Sequence, residues 1–258
     1  MESSNQLGEP IQMSNSTSPA ATPEEAALQA LLSAIVSRDT TTASRMLADS
    51  PLLARTALET GASRAGGRDF FFTAIAHYAY AGDTPLHLAA AAGQRDIAED
   101  LVARGANVRA RNRRGAEPLH YACDGAPGSA AWDPDAQAAI VEFLIGAGAD
   151  PNAEDKSGVA PLHRAVRTRS TGAVRALLAN GADALRKNKR GSTPLHLAVQ
   201  DTGRGGAGSA AAREEQAHVI RLLLTHGARP SDTDAAGRSV AARVTADWIH
   251  ALFGTGAQ

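Results

Sequence analysis

Apolar residues recur along this chain at helical spacing in four stretches: Ile97, Leu101 and Val102; Ile140, Val141, Leu144 and Ile145; Val174, Leu177 and Leu178; and Val219, Ile220, Leu223 and Leu224. Each stripe puts its large side chains on one face of a 3.6-residue helix and leaves small or charged residues on the other. Each ends in Gly-Ala, with glycines at 105, 148, 181 and 227, where a left-handed residue stops a helix. A shorter apolar element precedes every stripe. It reads Asp83-Thr-Pro-Leu-His-Leu-Ala, Ala116-Glu-Pro-Leu-His-Tyr-Ala, Val159-Ala-Pro-Leu-His-Arg-Ala and Ser192-Thr-Pro-Leu-His-Leu-Ala. Pro85, Pro118, Pro161 and Pro194 lie 33, 43 and 33 residues apart, and a glycine stands three residues before each. Proline suits the first helical position, and Thr84 and Thr193 suit the cap before it. Glu117 and Ala160 fill that slot in the middle units; Ala160 has no acceptor, so its helix is expected to start less firmly, by ~1 kcal/mol.

Four units in register make an internal repeat, and the Pro-Leu-His-x-Ala signature at a 33-residue period resembles the ankyrin repeat over roughly residues 79–258. The resemblance implies an all-α repeat solenoid, with two antiparallel helices per unit and a β-hairpin finger between units. One unit cannot bury its stripe alone, so neighbours must stack. The four repeats are expected at about 79–111, 112–154, 155–187 and 188–233, within a repeat region of 79–235.

Both ends read as caps. In residues 23–78, Leu28, Leu31, Leu32 and Ile35 form one helix and Met46 and Leu47 mark a second. The glycine-rich stretch Glu59–Asp69 makes a long connection in place of a finger, and Phe70, Phe71 and Phe72 are expected to bury it against the first full unit. Residues 236–258 keep a glycine in register at 237, and Val240, Val244, Trp248, Ile249, Leu252 and Phe253 are expected to form a closing helix pair. Residues 1–22, rich in Ser, Asn, Thr and Pro, read as a disordered tail. Two units depart from the repeat. Ten extra residues sit around Gly125–Asp135 and thirteen around Asp201–Glu215, both between the first and second helix; loop growth there costs little.

Composition narrows the function. Aromatics are 4% of the chain, so alanine, leucine and valine must fill thin helical layers. A formal net charge of −1 gives no global reason to expect nucleic acid or a membrane surface. Cys123 is the only cysteine, which excludes an intramolecular disulfide and a Cys-rich zinc site. No segment approaches the ~20 apolar residues of a membrane span, and no basic-then-apolar leader is seen, so a cytoplasmic protein is expected.

The candidate chemistry is sparse. His87, His120, His163 and His196 recur one per unit, about 10 Å apart at helix-packing distance, too far to share a metal. The resemblance implies that each instead bonds the helix start and the neighbouring hairpin. His77, His218, His226 and His250 have no ligand spacing. Gly203-Arg-Gly-Gly-Ala-Gly208 matches a dinucleotide fingerprint in letters but lacks the strand before it. Cys123 fills a small buried slot, with no activating histidine placed near it by the repeat. No catalytic residue, cofactor or metal is therefore expected.

The resemblance implies partner binding through finger tips and the exposed ends of first helices. Those positions are Tyr80, Asp83, Arg111, Arg113, Arg114, Asp124, Glu154, Lys156, Arg167, Lys187, Lys189, Arg190 and Asp201. Eight are basic and four acidic, so this face is more positive than the whole chain. The expected function is a monomeric interaction module, a scaffold or adaptor, that binds another protein with an acidic surface. The alternatives are inhibition of a partner enzyme and weak nucleic-acid binding through the basic fingers; the second is disfavoured because aromatics do not interleave with the arginines.

Overall fold

The computed structural model describes residues 22–63, 67–125, 132–200 and 209–254. The Ser-rich tail at 1–21, Asp201 and the Gly203–Gly208 run fall outside them. Helix α1 (Pro23–Val36) and α2 (Thr40–Asp49) form the leading cap. The four units follow as α3 (Pro85–Ala91) with α4 (Arg95–Ala103), α5 (Pro118–Ala122) with α6 (Pro134–Gly146), α7 (Pro161–Arg167) with α8 (Thr171–Ala179), and α9 (Pro194–Ala198) with α10 (Ala210–Thr225). First helices pack on first helices and second on second, giving two layers with one apolar core between them. Every second helix ends two residues before its glycine, and Gly105, Gly148, Gly181 and Gly227 all have positive φ.

The insertions do more than lengthen loops. Helices α4 and α8 have 9 residues each, whereas α6 has 13 and α10 has 16. All four end in the same register, so the surplus adds turns at the helix start. Asp133 and Ser209 cap these longer helices through their side chains. Buried Gln137 and Gln216 then tie each one back by donating to Ala122 O and Ala198 O, at 2.9 and 2.7 Å, where the first helix ends.

Fingers are held by two devices. Asn112, Asp155, Asn188 and Asp234 each accept, at Oδ1, the N–H groups two and four residues ahead, which folds the loop on itself. Successive fingers then join through one backbone bond apiece: Arg113 N to Ala81 O, Lys156 N to Arg114 O, Lys189 N to Ser157 O and Ala235 N to Arg190 O, at 2.8 to 3.3 Å. The glycines before the first helices permit this closeness. A Cβ on Gly82 or Gly158 would stand 2.8 and 2.9 Å from backbone atoms of the next finger, and both residues have positive φ.

The start of each first helix departs from expectation. No cap side chain accepts a bond there, whether Thr84, Glu117, Ala160 or Thr193. The histidine three positions on does the work. His87, His120, His163 and His196 accept the cap residue's N–H at Nδ1, at 3.1 to 3.2 Å. Each then donates from Nε2 to a carbonyl of the following finger: Ala116, Val159, Ser192 and Arg238. Ala160 therefore keeps the histidine cap its neighbours have and lacks only the hydroxyl bond to Nδ1 that Thr84 and Thr193 make at 3.0 and 2.8 Å, so any weakness of its start comes from that bond and not from a missing acceptor for a backbone N–H. Glu117 is the misfit instead: it is buried, its Oε2 has no hydrogen-bond partner among the described residues, and burial raises its carboxyl.

The ends also differ in part from the sequence reading. Phe71 and Phe72 pair antiparallel with Tyr78 and His77 as a small hairpin, β1 (Phe71–Phe72) and β2 (His77–Tyr78). Phe71 is 38% exposed, so the phenylalanines cover the connection only partly. The closing unit is one 3₁₀ turn, Ala241–Arg243, followed by α11 (Asp247–Gly254), in place of a helix pair. Arg238-Ser-Val lacks the proline and histidine that start a first helix elsewhere.

Burial lowers the pKa of all four framework histidines, that of His120 to about 4. The folded state keeps these rings neutral, whereas the unfolded chain takes up protons near pH 6.5. Their contribution is thus complete above that pH and is lost as pH falls toward 4. Thermal melts are expected to show Tm falling by at least about 5 °C between pH 7 and 5; a flat profile would contradict the assigned tautomers. Glu117→Thr should stabilise by about 1 kcal/mol at pH 7. That gain should shrink in melts near pH 4, where the native carboxyl becomes neutral.

Candidate functional site: the finger face and its strap

Residues 67–78 form a strap whose far half, residues 73–78, lies against the ends of the first helices of the first two units, α3 and α5. Its tip, Ile75–Ala76, reaches the ends of α3 and α5, and Ala76 holds a left-handed conformation at φ 50°. His77 stacks on Tyr121, ring centroids 4.4 Å apart, and bonds Asp124 through Nε2 at 3.2 Å. Much of the surface the repeat would present at its first unit is therefore occupied by the chain itself.

The thirteen expected contact residues divide accordingly. Asp83 is withdrawn from the surface: it is 0% exposed, accepts Tyr121 O–H at 2.7 Å and Asn112 Nδ2–H at 2.8 Å, and also binds the Tyr80 N–H. The slot is exposed in the expected pattern, but Tyr80, Asn112 of the second finger and Tyr121 of α5 close over it here. Asp124 is half-buried and committed, to Arg164 at 2.6 Å, to His77 and, at 3.8 Å, to Arg167. Tyr80 is flanked by Arg113 and Arg114, whose guanidinium carbons lie 5.4 and 4.9 Å from its ring centroid; Arg114 also donates to its hydroxyl at 2.8 Å. Arg113 donates to Ala62 O, and Arg111 to Glu154 O and Gly115 O. Glu154 faces Arg186 at 3.1 Å. Lys156, Lys187, Lys189 and Arg190 are exposed and, among the described residues, make no ion pair. Asp201 lies outside the described residues.

Sequence reasoning missed the polar network under this face. Arg164 links the second and third units: it donates to Asp124 of the second and to Asp155 in the third finger, the latter at 3.2 Å. Burial opposes the charge on Arg164, but Asp124 and Asp155 outweigh it and raise its pKa. Burial would likewise raise Asp124, yet the Arg164 guanidinium and the His77 bond overcome this and hold it at about 2. Burial and the Asp83 carboxylate push the Tyr121 hydroxyl upward, so it stays a donor. One signal was available. The residue after the framework histidine is Leu88, Tyr121, Arg164 and Leu197 in turn, so two polar groups occupy an apolar slot.

These groups tie neighbouring units together. Cys123 is fully buried and burial raises its thiol, which keeps it protonated. Among the described residues no group of three His, Cys, Asp or Glu is placed to hold a metal. No helix among them is long and apolar enough to cross a membrane.

The fold and the finger ladder define a class: stacked helical hairpins that offer a ribbed recognition surface. Comparison with family models agrees. Residues 81–113 match the model of the ankyrin repeat, and residues 128–234 match the model of ankyrin repeats in three copies. This chain belongs to the ankyrin-repeat family, whose repeats are generally protein–protein interaction modules. A comparison with curated proteins gives no match.

Asp83 supplies a test of the buried assignment. Asp83→Ala strands the Tyr121 hydroxyl and the Asn112 amide, and should cost at least about 2 kcal/mol in chemical denaturation. Asp83→Asn, which keeps one acceptor, should cost less. A loss within about 0.5 kcal/mol for the alanine variant, as at a surface site, would refute the assignment.

Proposed function

We propose that this chain is an interaction module that binds an acidic segment of another protein along the fingers of its third and fourth units. The observation that carries this is the uncommitted charge there: Lys156, Lys187, Lys189 and Arg190 stand exposed without internal ion pairs among the described residues, whereas the arginines of the second finger are engaged by Tyr80, Ala62 and Glu154. The ladder bonds made by the Lys156 and Lys189 backbones fix the spacing of these cations, so their order along the ridge is set by the fold. Neighbouring units repeat at about 10 Å, and a peptide in the polyproline II conformation rises about 3.1 Å per residue with three residues per turn, so every third side chain lies on one face. An acidic residue at every third position therefore meets one finger after another. Each exposed pair contributes only about 0.2–1 kcal/mol, so charge mainly selects and steers, and affinity needs several contacts at once.

The test is fluorescence anisotropy with a labelled peptide containing six glutamates. The triple variant K156E/K189E/R190E should lose at least about 10-fold in affinity while its melting curve stays within about 1 °C of the parent. Binding should also weaken with salt. Unchanged affinity in the variant would reject the ridge as the site. A mixed oligonucleotide pool bound more tightly than the peptide would move the reading to nucleic acid.

A further inference from the structure

The strap creates a cleft of about 290 Å³ against the inner helices, one that the repeat by itself does not supply. Tyr78 and Tyr80 form one wall, Arg114 stands at the finger side, and Arg164, Arg167 and Thr168 of the third unit form the other wall. A space this size has ample room for one acidic side chain, being near the lower limit for a small-molecule pocket. Its charge is what defines the occupant. Asp124 is the carboxylate on the floor, and its Oδ2 is already bonded by Arg164 and His77 while its Oδ1 faces Arg167. Arg164 is spent on Asp124 and Asp155. The two remaining guanidinium groups are each anchored by a contact that leaves donors free. Arg114 rests on the Tyr80 ring and bonds its hydroxyl, and Arg167, 67% exposed, leans toward Asp124 at 3.8 Å. Two partly fixed planar forks beside one small space suit a carboxylate, which can accept two parallel N–H bonds from one fork and an outer-edge bond from the other.

We propose that this cleft is the anchor pocket for one glutamate or aspartate side chain of the acidic segment, gripped between Arg114 and Arg167. The inference rests on the finger-ridge reading above and extends it. The Arg114 carbonyl accepts the Lys156 N–H, so a residue of the cleft adjoins the first residue of the free ridge. A peptide anchored here continues along Lys156 and then Lys189 and Arg190.

The hexaglutamate peptide again serves as probe, with the whole chain. R114Q and R167Q should each weaken binding at least about 5-fold, and the double variant at least about 20-fold. R167K keeps the charge but removes the fork, and should weaken binding nearly as much as R167Q. Melting curves for all variants, whose altered side chains are exposed, should remain close to the parent. Parent-like binding by R114Q/R167Q overturns the pocket, as does parent-like binding by R167K, which would reduce the arginines to general charge. If R114Q/R167Q binds normally while K156E/K189E/R190E does not, the ridge stands and the pocket falls. If the parent gives no saturable binding, both fall. A phosphoserine peptide that binds more than 10-fold tighter than its glutamate counterpart would overturn the carboxylate assignment in favour of a phosphoryl group.

Discussion

The Nδ1 lone pair of each framework histidine is committed to a helix-start N–H, which forces the ring proton onto Nε2 and aims it at the carbonyl of the following finger. One side chain thus closes a local structure and joins it to its neighbour. The helix-start bond at Nδ1 exists only while the ring is neutral, and burial keeps it so. Much else depends on this geometry. It supplies the acceptor for the helix-start N–H from the histidine, which is why Ala160 is tolerated at the cap and why the buried carboxyl of Glu117 gains nothing there. It also brings successive fingers within backbone hydrogen-bonding distance, and that closeness restricts the preceding residue to glycine.

Joints of this kind are alike along the stack, so they cannot alone explain why its two ends differ. The first three units carry additional polar links of longer range: Asp83 to Tyr121, Asp124 to Arg164, and His77 from the strap to Asp124. Single buried charges are costly, and a pair is favourable only where remaining lone pairs and protons are also satisfied. Asp83 meets that condition with three donors and Asp124 with contacts from three side chains. The last finger relies on a more local arrangement, in which Asp234 bonds its own loop and Arg243, whose hydrogen bond is the main cause of its depressed pKa. In a stack where each unit touches only its neighbours, such differences make cooperativity uneven. The strap end is bound into one block, and the far end is joined mainly by its repeated contacts.

How much of this could be read from residues alone follows from the range of each interaction. The stripes, the Gly-Ala stops and the Pro-Leu-His starts are local and periodic, and each lies where the spacing placed it. The strap hairpin is neither. Phe71-Phe72-Thr73-Ala74-Ile75-Ala76-His77-Tyr78 contains no glycine, asparagine or aspartate to mark a reversal, and alanine takes the left-handed position. Asp83 looked exposed because its slot is a finger position, and its partner Tyr121 is 38 residues away. No pattern within one unit reports that pairing. Arg164 was legible in principle, since a guanidinium in a slot otherwise held by leucine or tyrosine needs buried counter-charges. The finger aspartate of the same unit, Asp155, provides one of them.

Placement of the strap decides which part of the surface is left for a partner. A uniform repeat would offer equivalent ribs along its length, and recognition would be spread evenly over them. Here residues 73–78 lie against the ends of the first helices of the first two units, and Tyr80 with its two arginines fills the adjoining finger. The same segment that removes this surface also supplies a wall where the covered and open regions meet. Recessed corners that a bound partner can close off from water concentrate binding energy better than open ribs do, because charge-assisted bonds strengthen when water is displaced around them. The added segment therefore makes one position on a repetitive surface unlike the others, and under the function proposed above that position is what would set a partner's register along the remaining fingers.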